Sequence, residues 1–151
     1  MQYSRAILFL IVPPDTPTSS VRTSAPTSQP IAVILLGPIK PGGLTDRWLS
    51  DFPNLYADTS ANSGNNALSR DPDFSREFIP RYRSKLIFGS DCSCTEGKGA
   101  GVSQGNNPEA SRLTGKCVAT TTFGLLKQLT SLEIFRQVTW QNGTKLFRVK
   151  F

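Results

Sequence analysis

The chain has no histidine among its 151 residues. That absence removes the imidazole base of a Ser-His or Cys-His nucleophile and the usual nitrogen ligand of a catalytic zinc ion. No Gly-x-x-x-x-Gly-Lys-Ser/Thr loop occurs, which excludes phosphate cradling of the P-loop kind. Long apolar runs are lacking too. The longest, residues 6–12, follows Arg5 and is closed by Pro13-Pro14, far short of the roughly 20 residues that span a bilayer. It reads as a surplus strand rather than the core of a signal peptide, and no membrane role follows from it.

Cysteine is scarce. Cys92, Cys94 and Cys117 cannot all pair, and the first two lie too close in the chain for an easy mutual bridge. Free thiols point to a reducing compartment, the cytoplasm. With no second cysteine pair and no histidine, Cys92-Ser93-Cys94 does not complete a tetrahedral metal set, so these residues read as partly buried thiols on a loop. Acidic residues are the minority charge, 11 Asp and Glu against 17 Lys and Arg, for a net charge of +6. The basic residues are spread along the chain. Where they are densest, at Arg81-Arg83-Lys85 and Lys145-Arg148-Lys150, they alternate with residues that an element would bury. With no aromatic-basic stacking motif beside them, they read as a solvated surface and not as a nucleic-acid interface.

What is present is an ordinary globular composition, 38% apolar and 19% charged. Residues 15–30 are Ser, Thr and Pro with little to bury and read as a disordered linker. Residues 31–36 are a second apolar run that reads as one strand or an irregular filler. After Pro41-Gly42-Gly43, Thr45 is placed to cap a short helix carrying Leu44, Trp48, Leu49 and Phe52, which Pro53 stops. Leu55, Tyr56, Ala57 and Asp58 form the next strand, with Tyr56 and Asp58 on one face. Residues 62–66 read as a polar turn able to cradle a ligand carboxylate. Asp71-Pro72 reads as a cap with proline at the first helical position, opening a helix with Phe74, Phe78 and Ile79 inward. Residues 95–115 are Gly- and Asn-rich and polar, too long for an ordinary connection, and read as either an active-site loop or a disordered stretch. Val118, Phe123, Leu125, Leu126 and Leu129 make an apolar helix side. Thr130 with Glu133 suggests a capping box for a further helix in which Leu132, Ile134, Phe135 and Val138 pack inward, before a last short helix with Trp140, Leu146 and Phe147, of which Asn142-Gly143 is either the start or a break. Helix and strand in this rhythm make an α/β chain with parallel strands.

The stretch around which the rest is organised is Lys85 to Asp91. Leu86, Ile87 and Phe88 suit a strand buried on both faces, Gly89 ends it, and Ser90-Asp91 follow at its carboxyl end, where α/β sheets place ligand groups. Together with Cys92 after it, Gly37-Pro38-Ile39-Lys40-Pro41-Gly42-Gly43-Leu44-Thr45-Asp46-Arg47, Pro53-Asn54-Leu55-Tyr56-Ala57-Asp58-Thr59-Ser60-Ala61, Asn66-Ala67-Leu68-Ser69-Arg70-Asp71 and Trp140-Gln141-Asn142-Gly143-Thr144-Lys145-Leu146-Phe147, it resembles the C-terminal part of the amidohydrolase-2 family of metal-dependent hydrolases. The resemblance implies that residues 37–151 are a partial (β/α)8 TIM barrel with residues 1–36 an irregular N-terminal segment. A whole barrel of this type takes roughly 250 residues. It also implies that Asp91 is the catalytic, metal-binding aspartate of the last barrel strand. Asp58, Ser60, Asn62 and Arg70 would stand behind that ligand or contact the substrate. In the family the metal is zinc and the substrate a small molecule that is hydrolysed or decarboxylated. The cysteines beside Asp91 would not be ligands.

The departure from the pattern is large, since the family's zinc ligands are mostly imidazoles and this chain has none. The expectation is therefore an incomplete, inactive fragment that does not hold zinc by itself, with open sheet edges that favour self-association. Two alternatives stand beside it: a non-catalytic α/β module that binds a ligand or partner, and a basic nucleic-acid-associated protein.

Overall fold

The computed structural model describes residues 10–11, 38–92, 94, 96, 113 and 115–150. The expected linker at 15–30, the run at 31–36 and nearly all of the 95–115 loop lie outside the described residues. The fold is mixed α/β. Its middle strand is β2 (Tyr56–Asp58), beside which β3 (Leu86–Ile87) runs parallel, with Ala57 opposite Leu86 and Asp58 opposite Ile87. Parallel neighbours need a crossover, and α2 (Ala61–Ser69) and α3 (Pro72–Arg81) supply it. On the other side of β2 lies β1 (Leu10–Ile11), antiparallel. No helix among the described residues is long and apolar enough to cross a membrane.

The first helix, α1 (Leu44–Asp51), starts two residues earlier than a Thr45 cap would place it. Gly43 is the N-cap, and Asp46 reaches back to accept a hydrogen bond from the Gly42 N–H at 3.0 Å. The C-terminal end of α1 is closed from afar. The Lys85 ammonium donates to the Leu49 carbonyl and, at 2.8 Å, to that of Phe52. Burial there holds the Lys85 ammonium below the usual lysine range. The α3 start is as the sequence predicts: Asp71 Oδ1 accepts from the Phe74 N–H at 3.0 Å and Pro72 takes the first position.

Two readings are corrected. Residues 62–66 are no turn but the body of α2, with Gly64, Asn65 and Asn66 buried. Asn65 is helical because its side chain has a partner other than its own backbone: Nδ2 donates to Thr122 Oγ1 at 2.9 Å. Gly64 lets α2 lie against the strand it leaves, since a Cβ there would overlap the Thr59 backbone. Nor do Thr130 and Glu133 form the cap of the later helix. Ser131 is its N-cap, accepting from the Ile134 N–H at 3.3 Å, while the Thr130 hydroxyl turns back to the Leu126 carbonyl at 2.7 Å.

After β3 come α4 (Val118–Leu129), α5 (Leu132–Arg136), a π-helical turn (Gln137–Gln141) and α6 (Asn142–Leu146). Leu49, Ile79, Leu86, Leu126 and Val138 are each at most 1% exposed and form the centre of the core. Burying one such side chain is worth about 1.5–3 kcal/mol. Phe123 and Leu132, expected inward, are 43% and 61% exposed. Phe123 nevertheless packs edge-on against Phe88 and Phe135.

The expected barrel is not seen among the described residues. In a (β/α)8 barrel every strand is parallel and β3 would pass its free edge to another strand. Here β1 is antiparallel, and the outer edge of β3 is met by the C-terminal helices. The Phe88 N–H donates to the Val138 carbonyl at 3.0 Å, and Asn142 Nδ2 donates to the carbonyls of Leu86 at 2.7 Å and Arg83 at 2.6 Å. The π turn makes this possible. The Asn142 N–H bonds to the Gln137 carbonyl, one residue further back than in an α-helix, and Val138 is left free to accept from the strand.

Candidate functional site

The carboxyl ends of β2 and β3 lie side by side, and of the residues singled out in the sequence Asp58, Ser60 and Asp91 fall around them. Asp58 closes β2. Its Oδ2 accepts from the Ser60 hydroxyl at 2.8 Å. Its Oδ1 is buried and has no hydrogen-bond partner among the described residues. That oxygen faces Gly89, the residue two places beyond the end of β3, where a Cβ would come within 2.7 Å of it. Thr59 ties the ends together by donating from both its N–H (2.9 Å) and its hydroxyl (3.3 Å) to the Ile87 carbonyl.

The two loops that leave the strands are also joined. The Ala61 N–H donates to the Ser90 carbonyl at 3.2 Å. Ala61 and Asp91 both hold left-handed backbone, at φ 59° and 42°. Non-glycine residues in that region cost of order 1 kcal/mol or more and persist where surrounding contacts impose them. Asp91 itself is exposed, two residues past the glycine that Asp58 faces.

Asn62 lies half-buried in the first turn of α2. Arg70 is placed elsewhere. It lines a cavity of about 90 Å³ with Lys40 and Asp46 among apolar walls from Leu44, Leu68, Phe74 and Phe78, and none of Asp58, Ser60, Asn62 or Asp91 borders that cavity. Burial lowers the pKa of the Arg70 guanidinium, and the neighbouring Asp71 carboxylate partly offsets this. The structure thus gathers Asp58, Ser60 and the Ser90-Asp91 loop at the strand ends, and puts Arg70 in a different recess.

The cysteines depart from expectation. Cys92 and Cys94 are joined at disulfide contact, their Cα atoms 5.3 Å apart, inside the span a bridge requires. The two-residue spacing was no obstacle: the Cys94 nitrogen also lies 3.2 Å from Cys92 Sγ. Cys117, distant in sequence, completes a cluster in which all three sulfurs lie within 4.8 Å of one another. It is the N-cap of α4, and Thr120 holds its thiol below the ordinary cysteine range through its hydroxyl and then its N–H; the Ala119 N–H adds to this and burial opposes it. Spacing alone could not reveal this convergence. The one local signal was a cysteine standing at a helix start before Val118.

Compared with known proteins, the chain matches no family model, no curated protein and no solved structure.

Proposed function

We propose that the chain is the C-terminal βα portion of an amidohydrolase-type barrel. On this reading its strand ends are shaped for a small molecule, but it does not carry out hydrolysis or decarboxylation by itself. The observation that carries the reading is Asp58 Oδ1, a buried carboxylate oxygen left without a partner at the carboxyl end of a parallel strand pair, opposite a glycine. Buried acceptors are nearly always satisfied, so an orphan acceptor at a strand end is open to a donor of a polar ligand. Asp91 on the adjoining loop is the residue the resemblance makes the metal ligand and proton acceptor.

The donors at the strand ends do not fit a zinc ion of the family's kind. Asp58, Asp91 and Ser60 offer carboxylates and a hydroxyl where zinc takes imidazoles, and no histidine exists to complete the set. No hydrolytic step is therefore assigned to this chain. The deciding experiment is to read the DNA upstream of Met1 for an in-frame or frameshifted His-x-His segment, paired with hydrolysis assays on purified protein with added zinc. A His-x-His segment and no turnover support the reading; turnover by the chain alone overturns it.

A second reading, a non-catalytic α/β module that binds a ligand or partner, is favoured by the covered outer edge of β3. Asn142 and Val138 occupy the positions that a following barrel strand would need.

A further inference from the structure

We infer that Cys92, Cys94 and Cys117 form a thiolate site for one soft closed-shell cation of the zinc and copper(I) class, open when the Cys92–Cys94 bridge is reduced and closed when it forms. The inference does not rest on the amidohydrolase reading, since none of the three residues belongs to the strand-end carboxylate group.

Three observations carry it. The ligand atoms converge from two separate parts of the chain, all within 4.8 Å of one another. Three sulfurs bound to one zinc ion at about 2.3 Å in tetrahedral geometry stand about 3.8 Å apart. The Cys92–Cys117 sulfur pair is already at 3.9 Å and Cys94 lies within 4.8 Å of Cys117, so the main change needed is that the bonded pair separate. Finally, Cys117 is held by its element and is no mobile loop thiol. It is buried, the Thr120 N–H donates to its sulfur at 3.5 Å, and its own carbonyl accepts from the Thr121 N–H at 3.0 Å and hydroxyl at 2.8 Å.

Thiolate-only donors select soft cations over magnesium or calcium. Three protein ligands leave one position for solvent or a further ligand, as in zinc sites that are not purely structural. The redox balance is simple. A dithiol reductant gives two electrons and two protons to the Cys92–Cys94 bond and leaves as its own cyclic disulfide. The cation then displaces one proton from each of the three thiols it binds. The bridge and the metal compete for the same two sulfurs, so the oxidised chain keeps one thiol ligand, Cys117.

The test is a zinc competition titration of the purified full chain, reduced with a phosphine and kept anaerobic, against the same chain with the bridge intact. The reduced protein is expected to take one zinc ion per chain. Oxidation, or Cys117→Ser, should weaken binding by at least about a hundredfold, beyond the 10–100-fold that outer-shell partners alone control. Equal affinity in reduced and oxidised protein, or in reduced wild type and Cys117→Ser, overturns the inference. Should Cys117→Ser lose its fold by circular dichroism, the wild type still decides. Zinc should slow alkylation of Cys92, Cys94 and Cys117 together in mass-spectrometric labelling, and unchanged rates at any of the three would overturn the three-sulfur site.

Discussion

The parallel pair β2–β3 is finished in two ways, along its outer edge and at its carboxyl ends. Along the edge the exposed backbone groups of the strand are taken up by the C-terminal helices. Phe88 donates to Val138, and the carbonyls of Leu86 and Arg83 share the Asn142 amide. At the carboxyl ends the chain leaves Asp58 Oδ1 buried and unpartnered, gives Gly89 no side chain to cover it, and holds Ala61 and Asp91 in left-handed backbone. A folded chain that can satisfy one border of a strand this fully has no need to leave the other in deficit. The difference separates residues kept for stability from residues available to a ligand, and substitutions on the two borders should therefore move stability in opposite directions.

The largest effect is expected where both borders share a support. Gly64 sets α2 against Thr59, and Thr59 fastens the strand ends. Gly64→Ala forces a methyl group into the Thr59 backbone, which cannot swing aside as a side chain would. It should cost about 3 kcal/mol or more, or prevent folding, as read by urea denaturation. Next comes the edge. Asn142→Ala strips the donor from two carbonyls next to the core and should cost about 2–3 kcal/mol. Asn142→Asp keeps the shape, yet an ionised carboxylate offers no proton to those carbonyls, so it should be no better. A loss under about 0.5 kcal/mol for either would show that water replaces the amide and that the edge is not held as described.

At the carboxyl ends the sign reverses. Asp58→Asn keeps an oxygen for the Ser60 hydroxyl and replaces a carboxylate that has a buried orphan oxygen. It is expected to leave stability unchanged or raise it by up to about 1 kcal/mol, as substitutions at binding positions often do. A clear loss of stability would move Asp58 to the structural side of the comparison and remove the main support for a ligand site there.

How much of this division could be read from the sequence depends on the range of the interaction. The parallel strands, the Asp71-Pro72 helix start and the apolar stripe of α4 rest on local pattern and were legible. Asn142 was not: in sequence it looks like a start or a break of a helix, and its role depends on a π turn and on carbonyls 56 and 59 residues away. Residues 62–66 looked like a turn because Gly, Ser and Asn favour turns when nothing else engages them. Contact with Thr59 and Thr122 overrides that preference. The Cys117 convergence was hidden for the same reason. The exposed positions of Leu132 and Phe123 show the limit of periodicity, which marks an apolar stripe without saying what covers it.

The smallest expected effect sharpens the comparison with a carboxylate that is satisfied. Asp71 accepts from Phe74 at 3.0 Å through one oxygen and from the Ile39 N–H at 2.8 Å through the other. These two backbone bonds, Phe74 first, hold its carboxyl below the usual aspartate range, with a smaller contribution from the Arg70 charge and burial opposing. A folded-state pKa below the unfolded one means that the carboxylate stabilises the fold at pH values above the unfolded value of about 3.9, and that this contribution fades as pH falls through the lower folded value. Asp71→Asn keeps one acceptor, turns an amide toward the other N–H and no longer titrates. The stability gap between wild type and Asp71→Asn should therefore be constant from neutral pH down to about 5 and close progressively below about 4. A gap that stays open at acid pH would mean that geometry alone, and not the charge, distinguishes Asp71 from its orphaned counterpart at the strand ends.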